Sequence, residues 1–294
     1  MTDSLIDIQR KDLHRALINE GLYVITDSKY GRAATNSDAA SLSSRRIGLC
    51  LAEVLGVPEG KRMAAQTIGS KFEELIADYV DKTFTKLQHL RPGWWKVEDL
   101  GNRGHAKAES FAQYEHLAHL AHLTETDRGL KTALGNDYVV SPDVVVSRHL
   151  VTDEEINVDG RVFVGDESSL CSDIRQNEGK KPILHASISA KWTIRSDRAQ
   201  NSRTEALNLI RNRKGRLPHI VVVTNEPVPE RIASLALGTG DIDCVYHVAL
   251  YELQKAVSDY SVATGTDASL EMLSTLIEGK RLKDISDLPL DLCV

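Results

Sequence analysis

A chain of 294 residues with 41% hydrophobic content and a net charge of −6 is long enough to bury a large core, and one α/β domain spanning 1–294 is expected. No run of about 18 apolar residues occurs, and Met1-Thr2-Asp3-Ser4-Leu5 lacks the basic-then-apolar pattern of a secretory leader, so a cytoplasmic protein without membrane association is expected. The acidic balance argues against a general polyanion binder, because nonspecific affinity for nucleic acid comes mainly from Lys and Arg neutralising phosphates.

In chain order, residues 5–20 read as an amphipathic helix, and 26–44, rich in Ser, Ala, Asn and Arg, as a polar loop serving as linker or ligand contact. The spacing of Phe72, Leu75, Ile76, Tyr79, Val80 and Phe84 predicts a helix over 69–90, ended by Arg91-Pro92-Gly93. Residues 94–100 suit a strand and 106–123 a helix. His116, His119 and His122 on that helix have no acidic or cysteine partner at ligand spacing and read as ordinary histidines. Residues 138–147 form a β-branched run interrupted by Pro142, which predicts a strand with a kink or bulge.

Residues 152–180 are polar and irregular. Alternation predicts a strand over 183–192, helical spacing a helix over 199–214, and the apolar run His219-Ile220-Val221-Val222-Val223-Thr224 a buried strand. Further helices are expected over 229–237, 249–259 and 270–278, with a short strand at Cys244-Val245-Tyr246. A mixed sheet flanked by helices is the simplest architecture for this order. Cys50, Cys171, Cys244 and Cys293 lack metal-type spacing and read as structural thiols. Gly238-Thr239-Gly240 lacks the lysine of a phosphate loop and reads as a tight turn. His185 and His219 flank strands and suit a core better than general-base catalysis.

The average charge hides a local reversal. Between Lys191 and Arg216 stand eight basic residues and only Asp197 and Glu205, a local charge of +6. A groove facing DNA and a solvated helix with basic residues toward its C-terminus both account for this. Alternation along 183–192 places Ser187, Ser189 and Lys191 on one face. If the Pro142-Asp143 step lies on a neighbouring strand, Asp143 would hold a divalent metal against a phosphodiester. Lys191 would then orient the attacking water and offset the charge that builds in the transition state. Directly downstream, Arg195-Ser196-Asp197-Arg198 sets an acid between two arginines. Arg makes a fork to guanine O6 and N7, and Asp accepts from cytosine N4 but repels phosphate, so the tetrad suits reading of G·C pairs; a salt-bridged turn at a helix start is the plain alternative.

Pro142-Asp143 followed by a strand ending in x-x-Lys resembles the Pro-Asp…(Asp/Glu)-x-Lys nuclease core, with Ser189 where an acid normally stands. With Glu205 fourteen positions after Lys191 as the relocated acid, the arrangement is similar to the CCGG-recognising type II restriction endonucleases. The stretches 184–189, 191–201, 212–219, 237–240 and 279–289 share the likeness. The resemblance implies a restriction-endonuclease-like fold and Mg²⁺-dependent, sequence-specific hydrolysis of double-stranded DNA. It implies that Asp143 and the backbone carbonyl of Ala190 are metal ligands, Lys191 is the catalytic lysine and Ser189 its neighbour, while Glu73 and Glu205 complete the acidic shell through water. It assigns Arg195, Asp197 and Arg198 to a central CCGG, Gln66 to a minor-groove contact, and Asp38 and Arg231 to the outer G·C pair, for a target GCCGGC cut to leave 5′ overhangs. A homotetramer holding two duplexes, a cognate DNA methyltransferase and a bacterial cytoplasm follow from the same likeness. Two other functions would use the same core: a repair or recombination nuclease that cuts by DNA structure, and a DNA-binding regulator that has lost cleavage.

Overall fold

Six strands form the central sheet in the order β3-β4-β5-β6-β7-β8. They are β3 (Trp95–Asp99), β4 (Val144–Arg148), β5 (Ile183–Lys191), β6 (His219–Thr224), β7 (Cys244–His247) and β8 (Leu282–Asp284). The computed structural model describes residues 3–101, 108–127, 129, 132, 142–238 and 240–294, without the side chains of 121, 124, 125 and 196–199. β4 runs antiparallel to both β3 and β5, and β5 to β8 run parallel to one another, so the sheet is mixed as expected. The register of β4 against β5 shifts between Val146 and Ser147, a bulge within the expected strand. Residues 138–141 of that expected strand lie outside the described residues.

Helices cover both faces of this sheet. α1 (Leu5–Asn19), α2 (Leu42–Val54), α3 (Ala65–Thr83) and α4 (Leu117–Thr126) precede β4, and α5 (Ser196–Asn212) connects β5 to β6. α6 (Pro229–Ala236), α7 (Leu250–Thr264) and α8 (Ala268–Glu278) follow. α1 starts at a capping box in which Ser4 Oγ accepts from the Asp7 N–H and the Asp7 carboxylate accepts from the Ser4 N–H, satisfying two N–H groups that the helix leaves open. α3 buries Ile68, Phe72, Ile76, Tyr79 and Val80 on one stripe. Its Phe72 meets the Trp192 ring edge-on at 5.3 Å, as does Tyr23 at 5.6 Å. From the other side of the sheet, Ser202 of α5 approaches Ser189, Oγ to Oγ 3.4 Å. β6 is buried from Ile220 to Thr224, as a parallel strand covered on both faces must be. His185 is a core residue: its Nε2 lies 2.7 Å from the Leu292 carbonyl oxygen, and burial pushes the imidazole down to about 4.

Three local expectations need correction. Residues 26–44 are not an open polar loop but the hairpin β1 (Ile25–Ser28) and β2 (Gly31–Ala34), followed by the start of α2. Between them Thr35, Asn36 and Ser37 are fully buried, with Asn36 Nδ2 donating to Tyr23 Oη (3.1 Å) and to the Asn225 carbonyl (3.0 Å). The polar composition is spent on internal hydrogen bonds, which a composition argument reads as solvation. α2 packs so closely on this turn that a methyl group at Gly48 would sit 1.9 Å from Ser37 Oγ. The expected helix over 106–123 is, where described, two 3₁₀ turns (Ala108–Ser110 and Ala112–Tyr114) before α4, because Gln113 turns in to bond Leu184 of β5 through both its side-chain oxygen and nitrogen. Residues 106 and 107 lie outside the described residues, as does Thr239 of the expected turn at 238–240. β8 went unforeseen because three residues are too short to show a period; its pairing with β7 is a tertiary event.

Candidate active site and nucleic-acid interface

The register of β4 on β5 makes the site. Val144 pairs with Ile188, so Asp143 stands across from Ser189 and Pro142 across from Ala190. Proline has no N–H to extend a ladder, and the pairing ends at Val144. The Ala190 N–H is thereby released to the Asp143 carboxylate (2.9 Å). In an extended strand a residue's N–H and C=O leave toward the same edge, so the Ala190 carbonyl is directed toward the Asp143 side as well. Lys191 Nζ donates to the same oxygen, Asp143 Oδ2, at 2.6 Å, and Ser189 Oγ at 3.3 Å. Burial draws the Lys191 ammonium down, but Asp143, then Glu205 and Glu73, outweigh it and hold the group above its ordinary value. This favours the ammonium form of Lys191.

Two more carboxylates arrive from opposite layers. Glu73 follows Phe72 on α3, and Glu205 lies three residues beyond Ser202 on α5. Burial pushes Glu73 up to about 7, with Asp143, Asp99 and Glu205 adding repulsion; burial likewise raises Glu205 to about 7, with Lys191 opposing and Asp143 adding to it. Asp99, not foreseen from sequence, closes the group. It ends β3 opposite Val144, and a methyl group at Gly101 would lie 3.1 Å from Asp99 Oδ1 and 3.7 Å from Glu73 Oε2. Among the described residues no three His, Cys, Asp or Glu side chains stand close enough to share one ion. Asp143 Oδ2 is instead held by three donors.

The raised carboxyls have a thermodynamic consequence. Glu73 and Glu205 hold protons in the folded state that the unfolded chain releases above the ordinary value of 4.5. Folded protein then binds more protons than unfolded protein between about pH 4.5 and 7, so stability falls as pH rises through that window. Thermal melting in EDTA should show a midpoint that drops from pH 5 to pH 8, with a shallower drop in the double variant Glu73→Gln/Glu205→Gln. An unchanged slope would place the two carboxyls elsewhere.

Beside these groups opens a cavity of about 470 Å³ lined by Gln66, Glu73, Ala190, Lys191, Arg195 and Glu205, together with Thr35, Arg62 and Asn201. Gln66 is exposed on the first turn of α3, which begins earlier than its apolar stripe predicts. Arg195 is exposed at the N-cap of α5. The backbone of Asp197 and Arg198 lies in the first turn of α5, and their side chains are outside the described residues. Asp38 and Arg231, 193 residues apart, meet at 2.7 Å. The Arg231 bond, opposed by partial burial and reinforced by the charge of Arg195, holds Asp38 below its ordinary value, so the inner and outer candidate readers adjoin. Arg62 and Asn201 carried no sequence signal beyond polarity.

A family model described as NgoMIV restriction enzyme matches residues 13–294. The chain is 45% identical over 288 residues to the type II restriction enzyme NgoMIV of Neisseria gonorrhoeae, an alignment covering 97% of this chain and 98% of that protein.

Proposed function

The chain belongs to the NgoMIV restriction enzyme family and is a type II site-specific deoxyribonuclease of the restriction-endonuclease-like α/β fold; from that premise we propose that it hydrolyses double-stranded DNA with Mg²⁺ at a palindrome with a CCGG core, GCCGGC, leaving 5′ overhangs. The observation that carries the chemistry is the meeting of Lys191 and Asp143 at 2.6 Å at the end of β5, with Glu73 and Glu205 closing from both layers.

The donor set fits a hard divalent cation: Asp143, Glu73, Glu205 and the Ala190 carbonyl offer only oxygens, and burial, with added repulsion from Asp143, raises the two glutamates, a cost that a cation relieves. Asp143 and the Ala190 carbonyl would hold Mg²⁺ directly, with Glu73 and Glu205 reaching it through water. When bound, the ion supplies Lewis-acid stabilisation of the phosphoryl oxygen and helps to form the nucleophile. Lys191, charged and half-buried, orients the attacking water and offsets the negative charge that grows on the phosphate. Ser189 steadies the Asp143 carboxylate.

Specificity comes from Arg195, Asp197 and Arg198 on the central G·C pairs, from Gln66 in the minor groove, and from Asp38 and Arg231 on the outer pair. Arg198→Ala should cost about 1–3 kcal/mol of base discrimination, measured as the cleavage ratio between the target and a site altered by one base. Equal loss on unrelated DNA would make Arg198 a phosphate contact. The kinship further supports a homotetramer engaging two duplexes and a cognate DNA methyltransferase that protects the host sequence. No described helix is long and apolar enough to cross a membrane.

Digestion of plasmid DNA with purified protein and Mg²⁺, followed by sequencing of the ends, tests the proposal. Discrete fragments sharing one end sequence are expected. Random nicking would favour a structure-directed nuclease, and binding without scission a regulator.

A further inference from the structure

We propose that Glu226 is a positioning residue that sets both sequence-reading elements in register with the catalytic lysine, an inference that rests on Arg195, Arg198 and Arg231 being base readers. Glu226 lies just beyond β6 and is completely buried. Its Oε2 accepts the N–H of Ile194 at 2.8 Å, and its Oε1 accepts the N–H of Val228 at 3.3 Å. Ile194 immediately precedes Arg195, the N-cap of α5, and Val228 is the N-cap of α6, which carries Arg231. Neither cap supplies a side-chain hydrogen bond to its own helix. One carboxylate thus ties the entry points of both helices that present the readers.

The same residue reaches the catalytic end of β5 through its backbone. The Glu226 N–H donates to Thr224 Oγ1 at 3.1 Å, and Thr224 Oγ1 donates to the Lys191 carbonyl at 2.7 Å. A chain of four hydrogen bonds therefore joins the Lys191 carbonyl to Ile194, which precedes Arg195, and to Val228, the N-cap of the helix that carries Arg231. Its buried members have no water to substitute for a lost partner, so a lost bond is met by movement of the helix entry. A displacement on the order of 1 Å is enough to spoil a bidentate contact to a base edge while leaving nonspecific phosphate contacts intact.

Glu226→Gln tests this, because a glutamine can accept from one of the two N–H groups but presents its own amide hydrogens to the other. Cleavage of the cognate site and of sites altered at one inner or one outer base pair would be measured alongside the thermal midpoint and nonspecific DNA binding. The expected result is a roughly tenfold fall in the cognate-to-altered ratio, equivalent to about 1.4 kcal/mol, with nonspecific affinity unchanged. Glu226→Asp, which keeps the carboxyl group and withdraws its oxygens by one methylene, should show the same loss and covers the case in which the glutamine variant does not fold. A lowered midpoint with an unchanged ratio in the folded variants would make Glu226 a stabilising bond only and overturn the inference. Arg198→Ala and Arg231→Ala serve as references. If they relax the inner and outer positions while the Glu226 variants do not, the inference fails alone; if neither relaxes either position, the reading on which it rests fails with it.

Discussion

Replacing Asp143 with asparagine is expected to reduce DNA cleavage on the order of 10³-fold or more, corresponding to about 4 kcal/mol of lost transition-state stabilisation. The reason is geometric as well as electrostatic. Asp143 Oδ2 is the common acceptor for Lys191 Nζ, the Ala190 N–H and Ser189 Oγ. An amide keeps an acceptor oxygen but carries no charge, so it attracts neither the Lys191 ammonium nor a divalent cation as the carboxylate does. Binding to the target should survive, because the residues proposed to read the bases lie on α3, α5 and α6 and before α2, none of them on β4. Single-turnover cleavage and a mobility-shift assay on the same oligonucleotide separate the two effects. Cleavage within tenfold of the parent would remove Asp143 from the reaction centre, and equal loss of binding would make it a structural residue.

The largest expected loss of stability lies outside the candidate site, whose cavity Arg10, Glu252 and Asp284 do not line. Arg10 of α1 donates to both carboxylate oxygens of Glu252 (2.9 and 2.6 Å) and to both of Asp284 (2.8 Å each). Asp284 is fully buried and also accepts the N–H groups of Leu250 and Ser286. Burial alone would raise its carboxyl, but the bonds and charge of Arg10 outweigh that and hold it below its ordinary value. Arg10→Met keeps much of the packing volume and strands a buried carboxylate, which costs about 3–5 kcal/mol. At about 2 °C per kcal/mol for a chain of this size, the melting midpoint should fall by roughly 6–10 °C. Adding Asp284→Asn should recover part of the loss, since the uncompensated charge is gone. A shift below about 2 °C in Arg10→Met would show that the network contributes little net stability.

Much of the sheet and of the chemistry was legible because both are written in neighbours along the chain. Alternation exposed β5 and the side chain of Lys191, and an unbroken apolar run exposed β6, while the Pro142-Asp143 step, read as a kink within a strand, stands just ahead of β4. The same reasoning mistook Thr35, Asn36 and Ser37 for solvated loop, since a polar side chain looks alike in sequence whether its partner is water or the Asn225 carbonyl. Glu73 carried no local mark at all. It sits on a helix where an exposed glutamate is ordinary, and it becomes part of the site only because Phe72 docks on Trp192. Asp99 and Glu226 were missed for the same reason.

By itself, then, the sequence indicated most of the helices and strands, though not the β1–β2 hairpin or β8, and which residue types suit cutting and reading DNA, because periods of two and of 3.6 residues and the donors of a side chain are local properties. Only the tertiary structure decided which of the 42 acidic residues come close to Lys191. Register between β4 and β5 brought Asp143 to Lys191, packing from two layers brought Glu73 and Glu205 together, and a contact spanning 193 residues joined Asp38 to Arg231. Electrostatic coupling depends on separation in space, and separation in space is set by contacts that no single stretch of chain contains.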